Sequence, residues 1–152
     1  MSNWTTIVLQ DLYDAKAASI IDLARTLALE TGQTDDPSVA AISAAVSRIR
    51  SAISTGNDLD VNAAKIPNSL KELGVRMAIR FLKGRVEMEL TKQDIDDQRD
   101  DLSWLNRMTD AKLVFEQPDN AGGRAEMQER AVFQVVSSSR RQYKQHQTRG
   151  LT

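Results

Sequence analysis

The sequence lacks cysteine and has a single histidine, and both features exclude common kinds of functional site. Without cysteine the chain has no disulfide bond, thiolate metal ligand or cysteine nucleophile. The histidine, His146, lies in a polar stretch far from any carboxylate in a predicted helix, which disfavours acid–base catalysis and imidazole metal binding. Gly122-Gly123 lacks the strand, lysine and hydroxyl residue of a phosphate-binding loop. We therefore predict a protein that is not an enzyme and holds no cofactor or metal.

Aromatic residues and long apolar runs are also scarce. Aromatic side chains make up 5% of the chain, while small and aliphatic residues are common, a balance that favours helices over sheets. No stretch reaches the roughly 18 apolar residues that suggest a membrane-spanning helix. Residues 1–8 do not resemble a secretion signal. The sequence predicts a helical protein made in the cytoplasm, without a membrane partner.

Neither sign of charge dominates, since 20 basic residues oppose 21 acidic ones for a net charge of -1. The whole molecule therefore has no overall attraction for DNA or for anionic membranes, and an electrostatic partner must meet a local patch. A length of 152 residues corresponds to about one domain with an appendage.

Two helices are predicted in the first third of the chain. The first begins near Gln10 and ends at Gly32, which tolerates the left-handed backbone of a helix end. Its apolar face repeats every three or four residues and comprises Ala17, Ile20, Ile21, Ala24, Leu27 and Ala28. Asp35-Asp36-Pro37 begins the second helix, with a carboxylate that can cap it followed by proline just inside the helix. Its stripe, which we expect to be buried, comprises Val39, Ile42, Val46, Ile49 and Ile53.

Two further helices follow a polar loop that starts at Gly56. The third opens at residues 66–69, and its apolar face comprises Leu70, Leu73, Met77 and Phe81. Whether it stops at Gly84 or continues to Leu90 stays open. Thr91 and Asp94 have the spacing of a capping box, so a fourth helix starts there and runs to about Lys112. We predict an all-α fold, a small bundle of about four helices over residues 1–115.

Residues 116–152 are predicted to form an extended C-terminal arm. From residue 124 to the end, six basic residues oppose two acidic ones, a net charge of +4. Apart from a short segment at 126–136, which suits either a strand or a helix, this part has few apolar residues to bury. Its candidate docking residues are Arg140, Arg141, Tyr143 and Arg149, because arginine forms paired hydrogen bonds and tyrosine adds contact area. A solubilising tail without a partner is the alternative.

Two charged groups in the helical part are candidates for contacts between subunits. The basic group on the third helix is Arg76, Arg80 and Arg85, and the acidic group on the fourth is Asp96, Asp97, Asp100 and Asp101. The basic group also suits DNA phosphates or plain solvation. The acidic side chains fan around two helical turns instead of converging, which disfavours a metal site. We predict that the two groups meet across a subunit interface.

The order of these features resembles the head–tail connector (adaptor) family of tailed bacteriophages, including its Mu-like branch. The resemblance rests on Asp11-Leu12 before the first helix, the periodic helix at 39–53 and the proline-led helix at 67–82. It also includes the Leu and aromatic pattern at 102–105 and the Ser/Arg-rich stretch at 137–141. The sequence departs from the family after the second helix, where Gly56-Asn57-Asp58 stands in place of an Arg-Tyr and Pro pattern.

The resemblance implies a structural virion protein located in the neck, made in the host cytoplasm and assembled as a ring of typically about twelve copies. Its partners would be other copies, the portal protein and the next neck or tail protein, with DNA passing through the lumen without sequence-specific binding. One alternative is a small helical DNA-binding protein for packaging or regulation, although the 56–66 connection is long for a helix-turn-helix. A second alternative is an adaptor for an unrelated helical partner.

Overall fold

The computed structural model of the chain describes residues 1–110 and 113–121. This part is predominantly helical, with five α-helices and one two-stranded sheet. Its elements in chain order are β1 (Trp4–Thr6), α1 (Leu9–Asp14), α2 (Ala18–Glu30), α3 (Pro37–Ile53), β2 (Lys65–Pro67), a 3-10 turn (Asn68–Leu70), α4 (Lys71–Arg85) and α5 (Lys92–Thr109). The predicted predominance of helices is confirmed. The finer expectation of an all-α bundle of about four helices is corrected by the sheet and by a fifth helix.

The sheet joins two segments that are distant in sequence. β1 and β2 pair antiparallel, with Trp4 opposite Pro67, Thr5 opposite Ile66 and Thr6 opposite Lys65. Trp4 and Ile66 are fully buried. Each strand has three residues, too few for the alternation that identifies a strand in a sequence. This is why the sequence predicted an irregular N-terminus and a helix start at these positions.

The predicted first helix is split in two. Lys16 takes a positive φ of 62° and ends α1, and α2 begins two residues later. Lysine rarely adopts this conformation, so the break could not be predicted from the residues around it. The predicted end at Gly32 is confirmed, because this residue has a φ of 73° and the following Gln33 N–H donates to Ala28 O at 2.8 Å.

Helix α3 starts as predicted, with the Asp36 side chain accepting from Ser38 N at 2.9 Å and Pro37 in the first turn. Its apolar stripe is only partly buried, however. Val46, Ile49 and Ile53 are in the core, whereas Val39 is 61% exposed and Ile42 is half-buried. The beginning of α3 turns a different face towards the core, on which Ser38, Ala41 and Ala45 are buried.

The boundaries of the last two helices follow local signals. Helix α4 ends at Arg85, one residue after Gly84, and Glu87 takes a positive φ of 52°. Of the two ends left open by the sequence, the structure has the one near Gly84, and the helix does not continue to Leu90. Helix α5 has the predicted capping box, in which Thr91 Oγ1 accepts from Asp94 N and the Asp94 carboxylate accepts from Thr91 N. It ends at Thr109, before the predicted Lys112.

Helix α3 lies at the centre and contacts α2, α4 and α5. Side chains from every layer meet in the core, and the most buried include Leu12, Ile21, Ile49, Ile53, Ile66, Leu82 and Met108. Gly74 lets α4 pack closely against two neighbouring segments. A Cβ at this position would lie 2.5 Å from Ile7 Cδ1 and 3.2 Å from Ile49 Cδ1. The absence of a side chain lets α4 approach both α3 and the N-terminal segment.

The segment at 113–121 packs against the helical body. The side chain of Asn57 donates to Leu113 O at 3.2 Å and accepts from Phe115 N at 3.1 Å. Farther along, Trp4 Nε1 donates to Glu116 O at 2.8 Å and Val61 N donates to Asn120 O at 2.9 Å. Residues 116–121 belong to the predicted arm, whereas these bonds attach them to the body. The rest of the predicted arm lies outside the described residues.

Candidate interaction surfaces

A buried carboxylate joins α4 to α5. Asp101 is 3% exposed and accepts from Arg76 Nη2 at 2.8 Å and from Arg80 Nη2. The hydrogen bond with Asp101 is the main cause that raises the pKa of Arg76. Glu72 adds a second, exposed partner for Arg76 at 3.2 Å. Because one carboxylate binds two guanidinium groups, it fixes the spacing of the two helices.

A second ion pair fixes the start of α5. Lys83 Nζ lies 2.8 Å and 2.7 Å from the two carboxylate oxygens of Asp94. The hydrogen bond from Lys83 is the main cause that lowers the pKa of Asp94 to about 2, and bonds from Thr91 lower it further. Asp94 is therefore ionised and pairs with a lysine of its own chain.

These pairs differ from the arrangement that the sequence predicts. Arg76, Arg80 and Asp101 were expected to face another subunit, but they bind one another within one chain. Arg85 donates to Gln33 Oε1 at 3.0 Å, and Asp97 accepts from Gln93 Nε2 at 2.8 Å. The sequence could not separate the two cases, because the same charge pattern suits a helix pair in one chain or in two.

The outer side of α5 remains exposed. Asp96 and Asp100 are exposed there, and Trp104 follows at the same four-residue spacing. Trp104 is 45% exposed and has the Arg107 guanidinium 5.3 Å from its ring centre. An exposed tryptophan beside carboxylates is suited to contacts with basic or planar groups. Of the predicted subunit-interface residues, Asp96 and Asp100 are those that the structure leaves open to a partner.

An arginine that the sequence analysis did not select organises the loop after α3. Arg50 donates to Asp60 O at 2.7 Å, to Lys65 O at 2.7 Å and to Asn62 O at 3.1 Å. Its guanidinium also lies 5.7 Å from the ring centre of Trp4. Burial is the main cause that lowers the pKa of Arg50. One side chain thus holds three backbone carbonyls of residues 60–65 in place, and only long-range contacts reveal this role.

The last described residues show where the chain leaves the body. Asp119 accepts from the Ser2 hydroxyl and from Asn3 N at 3.3 Å, and the Ser2 bond is the main cause that lowers its pKa. Ala121 forms a bridge with Asp60. The chain therefore departs from a fixed point beside residues 60–61. The predicted docking residues Arg140, Arg141, Tyr143 and Arg149 lie beyond it, outside the described residues.

Across residues 1–110 and 113–121, no three acidic or histidine side chains are grouped to hold a metal ion. None of the helices in these ranges combines the length and the apolar character needed to cross a lipid bilayer. Two acidic residues of α5, Asp94 and Asp101, form ion pairs with Lys83, Arg76 and Arg80.

No protein-family model matches the chain, and neither does any curated protein or solved structure. The resemblance to phage connectors therefore stays a prediction that rests on the residues alone. The non-enzymatic character of the protein stays a prediction in the same sense.

Proposed function

We propose that the chain is a structural subunit of the head–tail connector of a tailed phage. In this role it forms a ring that joins the portal to the next neck or tail protein. DNA passes through the lumen without sequence-specific binding. The role is structural: the rigid body sets the spacing of the subunits in the ring, and the arm binds each subunit to a neighbour.

One observation carries the proposal: the chain leaves a rigid, internally paired body at a fixed point, and the sequence that follows is basic. Hydrogen bonds from Asn57, Trp4 and Val61 hold residues 113–121. After Ala121, residues 124–152 have a net charge of +4 and no pattern for a separate core. A basic segment that cannot bury itself gains stability by binding another molecule. We assign this binding to the portal or a neighbouring subunit, through Arg140, Arg141, Tyr143 and Arg149.

The internal pairing changes which residues we propose for subunit contacts. Asp101, Arg76 and Arg80 stabilise the body, so their contribution to a ring is indirect. The exposed Asp96 and Asp100 on α5 are suited to direct contacts with a basic surface. Trp104 beside them supplies the apolar area that such contacts need.

The test is assembly with the portal protein encoded in the same genome. We expect the full chain to form rings on purified portals in electron micrographs, and to occupy the neck of intact particles. Changing Arg140 and Arg141 to Gln should reduce portal binding, because each loses paired charged hydrogen bonds. The matched control is Arg124→Gln, which removes one arm charge outside the proposed docking residues. Particles with complete necks that lack this protein would disprove the proposal.

A DNA-binding protein is the main alternative, and one observation weighs against it. The chain between α3 and α4 contains β2 and a 3-10 turn, so these helices are not joined by the short turn of a helix-turn-helix. A gel-shift assay across salt concentrations separates the two functions. Tight, salt-sensitive DNA binding by a small oligomer would favour the alternative. A stoichiometric complex with a helical protein unrelated to phages would favour an adaptor of another kind.

A further inference from the structure

An open apolar groove runs along the beginning of α3. It has a volume of about 520 Å³, and Ile7, Val39, Ile42 and Val46 form its apolar lining. Ile7 and Val46 are buried at its base, while Val39 is 61% exposed at its edge. Val39 and Ile42 are the α3 positions at which the apolar stripe continues but the body does not fully cover it. A stripe of this kind with one uncovered end indicates that another segment packs there.

The groove is a fixed feature and not a loose gap between mobile loops. Ala63 and Ala64 form one wall, and Arg50 binds the carbonyl oxygens of Asn62 and Lys65 on either side of them. The opposite wall belongs to α3, where Ser43 and Ser47 are small enough to let a backbone approach. The groove is therefore preformed, so a segment binds there without reordering its walls.

The sequence beyond the described residues contains a matching segment. The apolar residues of positions 122–152 are concentrated in one run, Ala131-Val132-Phe133-Gln134-Val135-Val136. It is rich in β-branched side chains, contains no charge and has the length of an extended peptide that fits a groove. The chain that carries it leaves the body at Ala121, and the nine residues between them span up to about 30 Å when extended.

We propose that the groove on α3 receives residues 131–136 of a neighbouring copy of the chain. This inference rests on the proposed function, because it supplies the contact between ring subunits. The groove and the segment are different surfaces of one chain, so each copy offers one and accepts the other. Contacts of this head-to-tail type repeat from copy to copy and close into a ring when the rotation permits.

Because the chain has no cysteine, single introduced cysteines test this contact directly. Purified full-length Ser43→Cys, placing a thiol in the groove, is mixed with Val135→Cys of a different tag length and oxidised. We expect the mixed disulfide to form at least about tenfold faster than with Leu29→Cys, because docking raises the local thiol concentration. Leu29 is the matched control, since it is 78% exposed on α2 and outside the groove.

A second substitution tests the apolar character of the groove. Val39→Glu in the Ser43→Cys chain should remove the rate advantage, because it brings a charge into the apolar contact. Leu29→Glu in the same chain should leave the advantage intact. Both positions are exposed, so circular dichroism should show unchanged folding.

Two outcomes would overturn the inference. One is equal cross-linking of Val135→Cys to Ser43→Cys and to Leu29→Cys. The other is a Ser43→Cys/Val135→Cys double variant that closes only within one chain at every concentration. The assay uses purified protein without phage particles. A negative cross-link with the protein present in the neck would therefore reject the groove contact alone, and a positive cross-link without neck localisation would reject the connector function alone.

Discussion

Removing the charge of the buried Asp101 should weaken the contact between α4 and α5 more than removing an exposed charge. The substitution Asp101→Asn keeps the shape of the side chain but leaves Arg76 and Arg80 without their shared carboxylate. Breaking a buried ion pair by changing one partner costs about 3–5 kcal/mol. The Arg76 side chain is 40% exposed and is partly screened by water, whereas the Arg80 side chain is 13% exposed. We therefore expect the free energy of unfolding to fall by about 2–4 kcal/mol.

The assay is urea unfolding followed by far-ultraviolet circular dichroism, with Glu72→Gln as the matched control. Glu72 also pairs with Arg76, but its side chain is 86% exposed. Its loss should change the free energy of unfolding by less than about 1 kcal/mol, and added salt should erase the difference. If Asp101→Asn and Glu72→Gln unfold at the same urea concentration, the buried pair does not hold α5 in place.

Three further predictions concern single contacts. The pKa of Asp94 in the folded protein is about 2, below its ordinary value of 3.8. The stabilisation from its ionised form should therefore be complete above pH 3.8 and be lost as the pH falls towards 2. Acid titration of the wild type against Asp94→Asn measures this loss. Gly74→Ala should lower the free energy of unfolding by about 1–3 kcal/mol, because the new methyl group crowds Ile7 and Ile49. Gly84→Ala, whose methyl group meets open space, should raise it by up to about 1 kcal/mol. Urea unfolding measures both changes. Asn57→Ala should cost about 1–3 kcal/mol and accelerate hydrogen exchange at 113–121, unless that segment is held without the amide.

Much of the helical framework follows from local signals. The caps at Asp36 and Thr91 and the end at Gly32 were predicted correctly, because each depends on residues within one turn of the backbone. The break at Lys16 was missed, since a lysine with positive φ has no local signature. The contacts of Arg50 were missed as well, because its acceptors are backbone carbonyls ten or more residues away.

For the candidate interaction surfaces, the sequence shows which charged residues are available but does not show in which chain the partner of each lies. Asp101 with Arg76 and Arg80 forms a contact within the chain, and only its 3% exposure distinguishes this from a subunit interface. The apolar stripe of α3 also could not be assigned its partner from the sequence, because part of it is not covered by the chain. Its period is continuous from Val39 to Ile53, but its burial is not.

The sequence by itself determined the helical character, the starts of α3 and α5 and the basic character of the C-terminal part, because these depend on neighbouring residues and composition. The tertiary structure alone decided the pairing of β1 with β2, the capture of residues 113–121 and the uncovered end of the α3 stripe. Each of these depends on which distant segments meet in space. The periodicity of one segment shows which of its faces is apolar. Which segment covers that face is determined only when the whole chain packs.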